Sequence, residues 1–295
     1  MDHRKELFSI ILGTNEIASA IAVQLARGGN CAVLSYDPDP PVIRRKMAFH
    51  DALFAGSAQI EDVVGERVDD VMQVLKAVRG NCSRRGQVLV SWLGLLDLLP
   101  ICQIDVLIDA RLQKRRITPD LRRLAPWTIG LGPGFSATSN CHVAVETRPA
   151  RIGLVEGDGW TDAADGIASR LGDLGAERFV YSSFAGHWRT PVEIGTPVYK
   201  DLVLGHLSGL PVLASRDGVL RGIVRNGSDV HAGVKLLEID PRGRLAQWTG
   251  IDSRGSAIAT ATLAAIRRGT AELVGPDKSH RKNCHHAHAA QRDGS

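Results

Sequence analysis

Between residues 104 and 148 the sequence gathers side chains suited to holding an anionic ligand. Asp109 and Arg111 close a short apolar run, 104–108, and Lys114 follows three residues later. Gly130, Gly132 and Gly134 close a second run in Ile129-Gly130-Leu131-Gly132-Pro133-Gly134-Phe135. Glycines at a strand end leave backbone N–H groups uncovered, and such a concavity binds anions. Lys114, Arg115, Arg116, Arg122 and Arg123 lie between the two runs. Guanidinium groups suit phosphate because their donor fork is bidentate. Asn140, Cys141 and His142 come soon after. The chemistry suggested is the binding of a phosphorylated or otherwise anionic ligand.

Such groups need a sheet to carry them. Residues 7–12 read as a buried strand. Gly13-Thr14-Asn15 follows, then a helix with Ile17, Ile21 and Leu25 on one face, closing at Gly28-Gly29. Residues 32–36 form a second strand that ends at Asp37. Gly13, Asn15 and Ala18 stand where a dinucleotide fingerprint has G-x-G-x-x-G/A, and Asp37 stands where its ribose-binding acid would be. The missing middle glycine counts against NAD binding. Asn15 reads equally as a helix cap and Asp37 as the start of a turn. Residues 42–49 have helical spacing with Arg44 and Arg45 near the N-terminus, where cations oppose the helix dipole. That placement points to an anionic partner or to a solvated surface pair. A further buried strand covers 87–92.

Alternating strand and helix imply a mostly parallel sheet, with ligand groups at the carboxyl ends of its strands. The expected fold is α/β: a Rossmann-like doubly wound domain over 1–178. A linker helix is expected within it over 161–174. From 179 to 245 short β segments repeat a pattern, Ile194-Gly195-Thr196-Pro197-Val198 echoed by Asn226-Gly227-Ser228-Asp229-Val230. They look like a barrel-sandwich (biotinyl/lipoyl-like) module. Its hairpin, 207–211, has no lysine, so no swinging arm can attach there. A C-terminal helix is expected over 246–274 and a disordered His-rich tail over 275–295.

The apolar fraction of 44% and charged fraction of 23% are those of an ordinary soluble protein. A net charge of +4 and 5% aromatics give no nucleic-acid signature. No stretch approaches the roughly 20 apolar residues of a membrane span. The five cysteines are scattered without a CxxC pair, so neither a disulfide framework nor a zinc knuckle is expected. A reducing, cytoplasmic setting follows. The tail carries His280, Cys284, His285, His286 and His288, read as adventitious metal affinity rather than a dedicated metal site.

Asp109-Ala110-Arg111 with Lys114, the run from Ile129 to Phe135, and Asn140-Cys141-His142 through Glu146-Thr147 form one combination. With Ile43-Arg44-Arg45 and Ile239-Asp240-Pro241-Arg242, it resembles YqeB-type accessory proteins of the selenium-dependent molybdenum hydroxylase system. These are related in role to the XdhC xanthine dehydrogenase accessory factor. The resemblance runs from Leu7 to Arg267. It implies a non-catalytic or weakly catalytic role in holding the molybdenum cofactor, molybdopterin or its dinucleotide, for a molybdenum hydroxylase client. Arg111 and Lys114 would then pair with phosphate, and Asp109 would orient Arg111 or accept a pterin N–H. Cys141, with His142 lowering its pKa, would handle sulfur or selenium. Gly13, Asn15, Asp37, Gly130, Gly132 and Gly134 complete the expected cofactor site. Two features depart from the family pattern: Thr14-Asn15 in the first turn, and Arg148-Pro149-Ala150-Arg151 in place of a run ending in Arg-Gly-His. An NAD(P)-dependent oxidoreductase and a non-catalytic docking scaffold are the alternatives, and a homodimer stays open.

Overall fold

The computed structural model describes residues 7–79, 87–100, 103–114 and 118–274. The histidine-rich tail, Arg115 and Arg116 lie outside the described residues.

One nine-stranded sheet organises the first part of the chain. Its strands are β1 (Phe8–Leu12), β2 (Cys31–Ser35), β3 (Ser57–Ile60), β4 (Val63–Val68), β5 (Gln87–Ser91), β6 (Val106–Asp109), β7 (Trp127–Leu131), β8 (Val143–Glu146) and β9 (Gly153–Leu154). They lie in the order β3-β4-β5-β2-β1-β6-β7-β8-β9. Pairing is parallel from β4 across to β8 and antiparallel at both edges. Successive side chains of a strand point to opposite faces. Ile11, Ala32 and Leu34 therefore enter one apolar cluster, and Ile10, Leu12, Cys31 and Val33 enter another. Burial on both faces is why β1 and β2 read as unbroken apolar runs.

The helices are α1 (Glu16–Arg27), α2 (Ala52–Ala55), α3 (Val71–Arg79), α4 (Leu95–Leu98) and α5 (Ser253–Val274). Ile17, Ile21 and Leu25 of α1 pack on the first face with Ile258 and Ile266 of α5. α5 approaches the sheet closely. A Cβ on Gly269 would sit 2.1 Å from the Trp127 ring, whose Nε1–H donates to the Ala265 carbonyl at 3.1 Å. Val74 and Leu98, from α3 and α4, cover part of the second face.

The later strands are β10 (Phe179–Tyr181), β11 (Gly186–Arg189), β12 (Pro197–Val198), β13 (Val203–Leu207), β14 (Leu210–Leu213), β15 (Gly218–Ile223), β16 (Asp229–Val230) and β17 (Lys235–Asp240). They form two four-stranded sheets, β10-β17-β15-β12 and β14-β13-β11-β16. Trp188, Leu204, Leu220 and Leu237 lie in their shared core.

The expected Rossmann-like doubly wound sheet followed by a barrel-sandwich module is therefore not the architecture found. A doubly wound sheet joins successive parallel strands by crossover helices on both faces. Here the chain from β2 to β5 passes through the antiparallel hairpin β3–β4. Among the described residues no helix lies between β6 and β7 or between β7 and β8. The longest helix, α5, reaches the sheet from the far side of the β unit. Nor is that β unit free-standing: its core includes Ile43, and the Ile223 N–H donates to the Ile43 carbonyl at 2.9 Å.

Two helix expectations also fail. Residues 42–49 form a short 3-10 turn, Arg45–Met47, because Arg44 and Arg45 are drawn inward to carboxylates. Residues 161–174 form no helix. Cys31 is disulfide-bonded, contrary to the expectation of reduced thiols.

Candidate functional site

A cavity of about 480 Å³ opens over the carboxyl ends of β1, β2, β6, β7 and β8. Its floor comes from the turns after those strands: Gly13 to Glu16, Asp37, Arg111, Leu112, Lys114, Pro133, and Glu146 to Arg148. The facing wall brings Arg44, Phe179 and Lys235, and the first turn of α5 adds Arg254. A volume of this size accommodates an ordinary cofactor-sized ligand.

Gly13 takes φ +105°, so the chain can turn from β1 into α1, and its N–H donates to the Ser35 carbonyl. Asn15 caps the helix. Its Oδ1 accepts from the N–H groups of Ile17 and Ala18 at 3.0 Å, and its Nδ2 donates to the Ala110 carbonyl at 2.8 Å. In the dinucleotide fingerprint this space belongs to a glycine and a pyrophosphate. Here an amide side chain fills it and takes the helix N–H groups itself.

Asp109, buried at the end of β6, grips Arg111 bidentately, at 3.0 Å to Nε and 2.6 Å to Nη2. Arg111 Nη1 also lies 3.6 Å from Asp37. Asp37 in turn accepts from Gln113 Nε2 at 2.7 Å and from the Asp39 N–H at 3.0 Å. Arg111 thus lines the cavity with two carboxylates already facing it.

Gly130, Gly132 and Gly134 do not line the cavity. A Cβ on Gly130 would lie 2.0 Å from the Phe135 ring, so this glycine makes room for an aromatic core residue. Gly132 and Gly134 turn the chain at φ +80° and +88°. The Gly132 N–H donates to Val145 O, Phe135 N–H to Thr161 Oγ1, and Ser136 N–H to Asn140 Oδ1. Those donors are occupied within the protein. Glu146, also buried, accepts from the backbone N–H groups of Thr147, Arg148 and Asp162 at 2.6–2.7 Å. It anchors the rim of the cavity.

The structure does not bring Cys141 and His142 to the cavity. Cys141 is fully buried in the second-face core, and burial pushes its thiol up to about 12. A thiolate is therefore disfavoured. His142 stacks on Trp127 at 5.2 Å between ring centroids, and its Nδ1 lies 2.8 Å from Thr128 Oγ1.

The cavity's excess charge comes from elsewhere. Lys114, Lys235 and Arg254 line it with no carboxylate in salt-bridge range among the described residues. Lys235 Nζ sits 3.7 Å above the Phe179 ring, a cation–π contact. Burial, then repulsion from Arg44 and Lys114, lower its pKa to about 8. Burial also lowers the pKa of Arg254, whose Nη2 donates to the Thr147 carbonyl at 3.2 Å. Sequence reasoning named Lys114 but missed Lys235 and Arg254. The available signal for Arg254 was a cation in the first turn of a helix, a position that disfavours it. Nothing local marks Lys235.

No family model matches the chain. Among curated proteins, one relative stands out. The chain is 29% identical to the uncharacterized protein YqeB of Escherichia coli (strain K12). The match covers 262 residues, 87% of this chain and 47% of YqeB. The chain thus spans about half the length of the curated relative it matches. Its similarity to YqeB agrees with the resemblance carried by the 104–148 segment.

Solved structures show only slight likeness. The product-bound ectoine utilization protein EutE (DoeB) of Ruegeria pomeroyi is 14% identical, with TM-score 0.22 over 50% of this chain and 60% of that one. An aspartoacylase family protein of Mesorhizobium loti is 15% identical, with TM-score 0.23 over 51% and 60%. A succinylglutamatedesuccinylase/aspartoacylase of Rhodobacter sphaeroides is 16% identical, with TM-score 0.21 over 48% and 59%. Overlap this small carries no functional inference.

Proposed function

We propose that the chain holds an anionic pterin or nucleotide cofactor, the molybdenum cofactor as molybdopterin or its dinucleotide, and supports maturation of a molybdenum hydroxylase. The observation that carries this reading is the trio Lys114, Lys235 and Arg254, cations in one strand-end cavity with no carboxylate in salt-bridge range among the described residues. Lys235 and Arg254 are partly shielded from solvent while Lys114 is exposed; partly desolvated charge without a counterion is costly, and a bound phosphate would offset that cost. Arg254 presents a bidentate fork suited to phosphate oxygens, and the two lysines add mobile point charges.

The role proposed is accessory rather than catalytic. Cys141, the nucleophile the resemblance suggests, is buried and held as a thiol. The NAD(P) oxidoreductase alternative is weakened by Asn15, which occupies the turn a dinucleotide would need. The proposed partner is a client hydroxylase, and a homodimer remains compatible with the reading.

Equilibrium titration of the purified chain with molybdopterin, followed by pterin fluorescence, tests the proposal. Saturable binding that falls about tenfold in Lys235→Ala is expected, the usual effect of removing a charged hydrogen-bond donor. Failure of the wild-type chain to bind would refute it.

A further inference from the structure

A second cavity, of about 330 Å³, adjoins the first behind Arg44, Arg170 and Arg254, which line both. Six arginines face it: those three with Arg178, Arg221 and Arg242. Glu238 and Asp252 are its lining carboxylates.

The ion pairs around this cavity leave cationic charge over. Glu238, fully buried, accepts from Arg44 at 2.7 and 3.1 Å and from Arg178 at 2.9 Å. Asp252 accepts from Arg221 at 2.7 Å, and Asp240, just outside, accepts from Arg242 at 2.7 and 2.9 Å. Glu16 adds a contact to Arg44 at 2.9 Å. Four carboxylates thus serve four of the six guanidinium groups, and Arg170 and Arg254 have none within salt-bridge range among the described residues.

Two further observations indicate a ligand. Arg221 is only 2% exposed, yet its Nε–H is buried without an acceptor, and the same holds for the Nε–H of Arg254. Glu238 lies 3.6 Å from Arg221 Nε, beyond hydrogen-bond reach. Buried donors are ordinarily satisfied, and those left over call for an acceptor. Arg254 also sits in the first turn of α5, where the helix dipole already favours an anion. Asp252 caps that turn, accepting from the Gly255 N–H at 2.7 Å, but its other oxygen is taken by Arg221 at 2.7 Å, and a bound anion would complement Arg254 there.

We propose that this cavity is an oxyanion site of the phosphate class, so that a diphosphate-bearing ligand bridges both cavities through Arg44 and Arg254. The choice of a diphosphate-bearing ligand rests on reading the first cavity as a phosphate-cofactor site; the oxyanion site does not. Arg221 and Arg254, which both line this cavity, are assigned to the distal phosphate group. Arg242, half-buried at the mouth, adds its remaining guanidinium donor. A dinucleotide form of the cofactor is accordingly favoured over a monophosphate.

Calorimetric titration of the full chain with inorganic pyrophosphate tests the site. Wild type should bind, Arg242→Gln should weaken binding about tenfold, and Arg189→Gln, an exposed cation that lines neither cavity, should change it less than twofold. Ser253→Glu supplies a second variant. Its carboxylate suits a helix N-terminus and preserves the fold, yet repels phosphate at the cavity edge, so native melting with binding lost is expected. Absence of pyrophosphate binding in wild type would overturn the site, as would unchanged binding in both Arg242→Gln and Ser253→Glu. Failure of the first-cavity reading looks different: pyrophosphate binds while molybdopterin does not.

Discussion

Replacing Glu238 by Gln should unlock the joint between the nine-stranded sheet and the β unit. The carboxylate has no solvent exposure and holds Arg44, from the segment after β2, together with Arg178, which precedes β10. Although burial alone would raise its pKa, Arg44 foremost, with Arg221 and Arg178, outweighs that and lowers it from 4.5 to about 2. A difference of about 2.5 pKa units corresponds to roughly 3 kcal/mol of native-state stabilisation. Removing one partner of a buried ion pair independently costs about 3–5 kcal/mol. The two routes agree. Because the folded pKa is depressed, this stability is present above pH 4.5 and is lost as pH falls toward 2. Urea unfolding of wild type and Glu238→Gln at pH 7 should differ by about 3 kcal/mol, and by less than half that at pH 3. A difference below about 0.5 kcal/mol at pH 7 is what an exposed, unimportant pair would give, and it would refute the reasoning.

Other expectations follow from single residues. Cys141 should resist iodoacetamide at pH 8 in the native protein, and its peptide should label only after denaturation; rapid native labelling would contradict its burial. Lys235, followed by NMR of the ¹³C-methylated amine, should titrate near pH 8 and shift upward in Lys114→Ala. Its depressed pKa makes the native state bind fewer protons than the unfolded chain between pH 8 and 10.5, so its contribution to stability rises with pH across that window. His50, its Nδ1 2.9 Å from Thr14 Oγ1, is lowered to about 4 by burial. It should stay neutral at pH 5.5 by NMR, with stability falling as pH drops from 6.5 toward 4; an imidazolium at pH 5.5 would contradict this. Gly130→Ala should cost at least about 2 kcal/mol in urea unfolding, because its Cβ meets the Phe135 ring at 2.0 Å; a neutral result would show that Phe135 can move aside.

Local signals were readable wherever a residue's neighbours in sequence are its neighbours in space. The apolar runs of β1, β2, β5 and β7 follow from burial on both sheet faces, and Gly13 marks a turn that needs positive φ. Asn15 and Asp37 were ambiguous because cap and ligand roles use the same atoms; only the hydrogen bonds to Ile17, Ala18, Gln113 and Asp39 decide. The sheet's antiparallel edges and the return of α5 depend on pairings between distant segments, which periodicity does not encode. Arg44 and Glu238 are 194 residues apart, so the arginines that read as a helix start are instead buried ion-pair partners. Lys235 and Arg254 reach the cavity in the same long-range way. The carboxyl ends of β6 and β7 border the cavity through Arg111, Lys114 and Pro133, while the glycines after β7 serve packing and turning.

The central claim is that unpaired cations in the strand-end cavity hold an anionic cofactor. The most direct measurement is the affinity of molybdopterin for wild type, Lys235→Ala and Arg254→Gln between pH 7 and 9. The account predicts saturable binding to wild type, about tenfold weaker in each variant, and weakening as pH rises through the Lys235 pKa near 8 in wild type and Arg254→Gln but not in Lys235→Ala. Equal affinity in all three proteins with no pH dependence, or no binding at all, would contradict it.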